Sequence, residues 1–222
     1  MNLCGKFFKA AVAVAVMSGL SSPAFAGGHG GMNVPTIKSA VFMSGLENPW
    51  DMAFLPDGTM FFTEKCKGLS VRTNSGKVNA LYGIKGSMGY ADSGEDLFCD
   101  GQAGILGVVA DMNFDKNRRL YVYSASTKYR GSGCKTNFEK CDGNIVMRFE
   151  VSADLMSVSN RTDIVTDIQY KPFESNQPFG GPGAHNGGRL RIGPGGYLWV
   201  TGGDRHRGIC PQDGRSEEHT SE

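Results

Sequence analysis

The 222-residue sequence predicts an all-β fold, on three observations. From Val34 onward, β-type runs alternate with Gly, Asp and Asn turns, and no long stretch carries a 3.6-residue apolar period. Glycine supplies 32 residues, about twice its usual share, without the triplet period of collagen. Three segments also share one pattern: Ala53–Lys65 (AFLPDGTMFFTEK), Met112–Ser126 (MNFDKNRRLYVYSAS) and Arg189–Asp204 (RLRIGPGGYLWVTGGD). Each reads as a strand, a polar hairpin-type turn, and an apolar and aromatic strand ending in Thr or Ser.

In chain order, residues 1–26 read as a secretory signal peptide. Lys6 and Lys9 precede an apolar run from Ala10 to about Leu20, and Ala24-Phe25-Ala26 carries small residues where a peptidase reads them. The run is too short for a stable membrane span, so the expected location is the periplasm or the exterior. Residues 27–33, which include His29 in GGHGG, form a flexible leader. Residues 34–214 are the folded domain. Arg215–Glu222 (RSEEHTSE) resembles the translation of a short-read sequencing adapter and is expected to be a non-native tail, with the natural chain continuing in its place. Lys+Arg 23 against Asp+Glu 22, without a basic patch, argues against nucleic acid as a partner.

Aligning Met60, Leu120 and Leu198 spaces the repeated segments more widely than the roughly 40–50 residues of a propeller blade, which implies blades with long insertions. A four-stranded unit cannot bury both faces alone, and radial stacking of such units gives a propeller. A β-sandwich with similar hairpins is the competing arrangement. Tyr82–Gln102, with the carboxylates of SGED (Ser93–Asp96), and Thr127–Asn144 read as solvated surface loops. A further strand around Lys38–Met43 is expected to close the ring with a last blade. Cysteine usage agrees with export. Connectivity is open in the sequence, but Cys66–Cys99 and Cys134–Cys141 are the expected pairs, leaving Cys210. No Cys/His spacing suits zinc.

Few residues can carry chemistry. His185 lies in GGPGAHNGGRL, where flanking glycines permit unusual backbone angles and close approach of a planar ligand, and imidazole suits general-base work near neutral pH. A turn histidine bonded only to backbone is the alternative. Asp204 follows nineteen residues later in TGGDRHRG, so a strand out, a turn and a strand back would return it beside His185. A turn-capping aspartate is the alternative there. Gln102 in CDGQAGILGVVAD carries an amide suited to quinone carbonyls or carboxylates.

Three blocks, GLENPWDMAFLPDGTMFFTEK, GQAGILGVVADMNF and HNGGRLRIGPGGYLWVTGGD, together resemble the glucose/sorbosone dehydrogenase family and span Gly45 to Asp204 in the family's order. The resemblance implies a six-bladed β-propeller, of which this chain covers about three blades. It also implies pyrroloquinoline quinone (PQQ) and calcium at the channel mouth, and oxidation of an aldose at its anomeric hydroxyl. On that resemblance His185 matches the catalytic base, Asp204 the carboxylate supporting it, Gln102 a cofactor contact and Gln212 a polar position near the substrate. Some members carry an acidic residue before the histidine where this chain has Ala184, which bears on substrate preference. The family's calcium ligands lie in later blades, so no metal residue is named, and a cytochrome c or a quinone is the expected electron acceptor. The alternatives are a noncatalytic ligand-binding propeller and a metal-dependent lactonase-type propeller, the latter needing channel carboxylates that are not evident.

Overall fold

The structure is a computed structural model that describes residues 37–129, 143–171 and 183–204. The chain divides into two units, 1–42 and 43–222. Residues 37–44 contain no strand, so the element expected around Lys38–Met43 is not formed among the described residues. A strand exists only through its ladder, and these residues carry none.

Among the described residues, the second unit contains three arrays of strands. The first holds β1 (Pro49–Phe54), β2 (Met60–Glu64), β3 (Gly68–Arg72), β4 (Val78–Ile84) and β5 (Asp92–Gly94), in that order. The second holds β6 (Ile105–Ala110), β7 (Arg119–Ser126), β8 (Gly143–Val151) and β9 (Val158–Gln169), also in order. The third is the hairpin of β10 (Gly187–Ile192) and β11 (Leu198–Gly202). The first and third repeated segments form both strands expected of them, whereas the second forms only β7, because the strand before its turn, β6, ends at Ala110, ahead of Met112. The polar turn of the second includes one helical turn, α1 (Phe114–Asn117), which places Phe114 in the core edge-on to Phe61.

Side-chain alternation explains the stacking. On β7 and β8, Leu120, Val122, Ile145, Met147 and Phe149 face the first sheet and meet Phe61, Leu69, Val71 and Leu81. Their neighbours Tyr123 and Val146 face the other way and join Leu106 and Leu190 beneath the third hairpin. The second sheet is thus buried on both faces. That arrangement suits a blade in a radial stack and not the half-solvated sheets of a sandwich. Asp51 on β1 links all three arrays. Its carboxylate accepts from Val108 N–H of β6 at 3.3 Å and from the Arg189 guanidinium of β10 at 2.6 Å. Its own N–H donates to Thr63 Oγ1, whose hydroxyl donates to the Leu106 carbonyl.

The described parts of the two expected surface loops, residues 82–102 and residues 127–129 with 143–144, are better anchored than the sequence suggests. Tyr82 lies in β4 and packs against Phe149, and Asp92–Gly94 pairs in parallel with β4 as β5. Asp96 is not a solvated carboxylate. It makes a two-point bond at 2.7 Å to each terminal nitrogen of Arg161 on β9, and it accepts the Ser126 hydroxyl. Asn144 is fully buried within β8. At Asp96 and Asn144, tertiary partners override the polar composition.

Candidate functional site

Three of the four residues singled out in the sequence converge at one end of the sheets. The His185 Nδ1–H donates to Asp204 Oδ1 at 2.6 Å, and the His185 backbone N–H donates to Gln102 Oε1 at 2.9 Å. Local structure makes both bonds possible. His185 sits two residues before β10 and Asp204 two residues after β11, so the antiparallel hairpin returns the carboxylate to the imidazole. Gly203 completes the approach, because a Cβ there would overlap the His185 carbonyl. Gln102 comes from the turn that feeds β6 in the neighbouring sheet. Gln212, Cys134, Cys141 and Cys210, like residues 1–36 and 205–222, lie outside the described residues.

His185 adopts a left-handed backbone, with φ of 52°, a conformation that costs a β-carbon residue about 1–2 kcal/mol. Its neighbour Asn186 holds it there. Asn186 and Asn144 exchange amide hydrogen bonds at 2.9 and 3.0 Å, and Asn144 also donates to the Gln169 carbonyl. The Tyr123 hydroxyl donates to the Asn186 carbonyl, and burial pushes this phenol well above its ordinary range, so it remains a donor. A buried, satisfied polar network of this kind fixes geometry. The sequence reading missed it, since Asn186 stood out only as the neighbour of His185 and Asn144 was assigned to a loop.

The imidazole is 46% exposed and the Asp204 carboxylate 29% exposed, so the pair faces solvent. Because a carboxylate only accepts, Nδ1 carries the hydrogen in this bond and the basic lone pair of the neutral ring belongs to Nε2. The cleft beside it encloses about 340 Å³ and is lined by Trp50, Lys65, Gly101, Gln102, His185, Asn186 and Gly187. An indole face, an ammonium, an amide and glycine backbone make a setting for a planar ligand with negative charge and carbonyl oxygens. Trp50 and Lys65 flank and end the first repeated segment, and no spacing rule points to either as a lining residue. Among the described residues, no group of three or more His, Cys, Asp or Glu could hold a metal ion.

The glucose/sorbosone dehydrogenase model matches residues 46–220. The chain belongs to that family. It is 27% identical over 178 residues to the aldose sugar dehydrogenase YliI of Escherichia coli K12, covering 80% of this chain and 41% of that one. It is also 27% identical to quinoprotein glucose dehydrogenase B of Acinetobacter calcoaceticus, covering 75% of this chain and 30% of the relative. Among solved structures, a glucose dehydrogenase-type oxidoreductase of Thermus thermophilus superposes with a TM-score of 0.53 at 24% identity, over 73% of this chain and 39% of that one. The PQQ-bound aldose sugar dehydrogenase of Streptomyces coelicolor gives 0.53 at 19% identity, over 73% of this chain and 40% of that one. The fold is therefore the β-propeller of this family. The chain spans about two fifths or less of the length of these relatives.

Proposed function

We propose that the complete protein is an exported quinoprotein dehydrogenase that oxidises an aldose at its anomeric hydroxyl, with His185 as the general base. One observation carries the reading: His185, oriented by Asp204 and by Gln102, borders a cleft that also presents Trp50 and Lys65. The lining fits PQQ, a planar quinone bearing carboxylates, for which Lys65 offers a cation, Trp50 a flat apolar face and Gln102 an amide. When bound, PQQ supplies the two-electron acceptor for the hydride that leaves the anomeric carbon. The protein's own part is the proton. His185 Nε2 takes it from the anomeric hydroxyl, and the Asp204 carboxylate, bonded to Nδ1–H, stabilises the imidazolium that results.

The PQQ-bound relative and the family membership support the cofactor. Calcium is proposed as the ion that completes the site, with ligands supplied by residues outside those described. Gln212 is proposed to contact the sugar, and a cytochrome c or a quinone to reoxidise the protein. The leader-like N-terminus and the Cys66–Cys99 disulfide support export to the periplasm or beyond.

The test is reconstitution. Metal-stripped, cofactor-free complete protein is titrated with PQQ in the presence and absence of calcium, with an aldose and an artificial electron-accepting dye. Saturable dye reduction that requires PQQ, calcium and sugar together is the expected result. A protein that binds sugar but reduces no dye at any PQQ concentration would be a binding propeller.

A further inference from the structure

We infer that Lys65 and the Cys66–Cys99 disulfide act together as a clamp that positions Gln102 against His185. The segment carrying Gln102 is tied to the end of β2 at three points that bracket it. On one side Cys99 is bonded to Cys66, with their Cα atoms 5.1 Å apart. Next to the glutamine, the Lys65 ammonium donates to the Gly101 carbonyl. On the far side, Ile105 N–H donates to the Lys65 carbonyl at 2.9 Å.

The segment between these ties is a tight turn, closed by Asp100 and Ala103 exchanging backbone hydrogen bonds at 2.9 and 3.2 Å. Its fit against the end of β2 tolerates no side chain at Gly104, where a Cβ would overlap the Lys65 carbonyl. Lys65 itself is fixed at its N–H by the Asn48 carbonyl, 3.0 Å away. Two adjacent residues following β2 therefore hold the backbone on either side of Gln102. From that held turn the Gln102 amide reaches the His185 backbone.

The consequence is specific. The disulfide closes a loop of 33 residues in sequence separation, so it restrains the unfolded chain as well as the native turn. Lys65 adds a charge-assisted bond that a neutral side chain of equal length cannot make. Loss of either releases the turn, and the His185 N–H then loses the Gln102 acceptor while the Asp204 bond and the Asn186–Asn144 pair persist. Lys65 and the disulfide are thus positioning groups for a site whose chemistry rests on the function proposed above.

Hydrogen–deuterium exchange of the cofactor-free complete protein tests the clamp without relying on turnover. In Lys65→Met, exchange in peptides over 98–104 and 183–188 should rise about tenfold, the worth of one charge-assisted hydrogen bond, while peptides over β7 and β8 stay at the wild-type rate. Lys65→Arg should restore protection. Cys66→Ser/Cys99→Ser should reproduce the pattern, and if it fails to fold, Lys65→Met with the disulfide intact decides alone. In Cys66→Ser/Cys99→Ser, whose changed residues do not line the cleft and leave Lys65 in place, the PQQ concentration for half-reconstitution should rise in step with the exchange. Unchanged exchange at 183–188 in Lys65→Met, or a uniform rise across all peptides, overturns the clamp. Local exchange that responds as described in a protein that never binds PQQ would keep the clamp and reject the proposed function.

Discussion

Two of the carboxylate–base pairs among the described residues, one at Arg161 and one at His185, serve different ends. On the second sheet, Asp96 and Asp163 hold the guanidinium of Arg161, with Asp163 side-chain exposure at 2% and Tyr82, Ser126, Lys128 and Tyr129 completing the network. Beside the cleft, Asp204 holds the imidazole of His185 in reach of solvent. Burial by itself lowers the Arg161 pKa, but its bonds to both carboxylates and to Tyr82 outweigh this and raise it, so the guanidinium never gives up a proton. The imidazole, with a lone pair on Nε2, can take a proton and give it back. The same carboxylate–base contact is therefore a staple where the base is a half-buried arginine, and a candidate proton carrier where it is an exposed histidine.

Removing each base should separate the two roles. His185→Ala should cut sugar-dependent dye reduction by about 10²–10⁴-fold with PQQ binding largely retained, the usual cost of a lost general base. Near-wild-type turnover at saturating PQQ and calcium would break the comparison on the catalytic side.

Arg161→Met should act on stability and not on the site. It leaves the buried Asp163 side chain and the half-buried Asp96 without their main partner, a loss of about 3 kcal/mol read from denaturant or thermal unfolding. A Tm equal to wild type would mean that the network is ornamental. Loss of PQQ affinity at unchanged Tm would mean that the two regions are coupled.

Asp204→Asn should reduce turnover by about ten- to a hundredfold, less than His185→Ala, because the amide oxygen can still accept from Nδ1–H but no longer offers a charge to the imidazolium. Equal losses from the two substitutions would show that the carboxylate, and not the imidazole alone, carries the proton transfer.

The smallest effect concerns acid. Burial alone would raise Asp96 and Asp163, but hydrogen bonds from Arg161, with Ser126 for Asp96 and Lys128 for Asp163, outweigh it and hold both carboxyls below the usual range. A depressed folded pKa contributes stability that is complete above the unfolded value of about 3.9 and is lost as pH falls through the lowered folded values. The Tm of wild type should accordingly fall below about pH 4, and Arg161→Met should show a shallower acid limb. Identical acid limbs in the two proteins would remove these carboxylates from the account.

The sequence by itself determined the strands and their repetition, because period-2 alternation and hairpin turns are local signals that need only neighbouring residues. It also placed His185 and Asp204 together, since a single antiparallel hairpin fixes their separation. Cys66–Cys99 was a pairing the sequence left open, and the structure forms it.

The tertiary structure decided what depends on residues distant in the chain. Asp51 reads in PWDMAF as one polar residue among apolar ones, yet it joins three sheets through Val108 and Arg189. Asp96 and Asn144 sit in stretches whose composition says loop, and only Arg161 and Asn186, 65 and 42 residues away, satisfy the half-buried carboxylate and the buried amide. Lys65 gained its place for the same reason: the carbonyl it grips belongs to Gly101, 36 residues further on. Periodicity reports which face of a strand is apolar, but a polar residue's partner across a radial stack is set by how the sheets dock, and no local pattern encodes that distance.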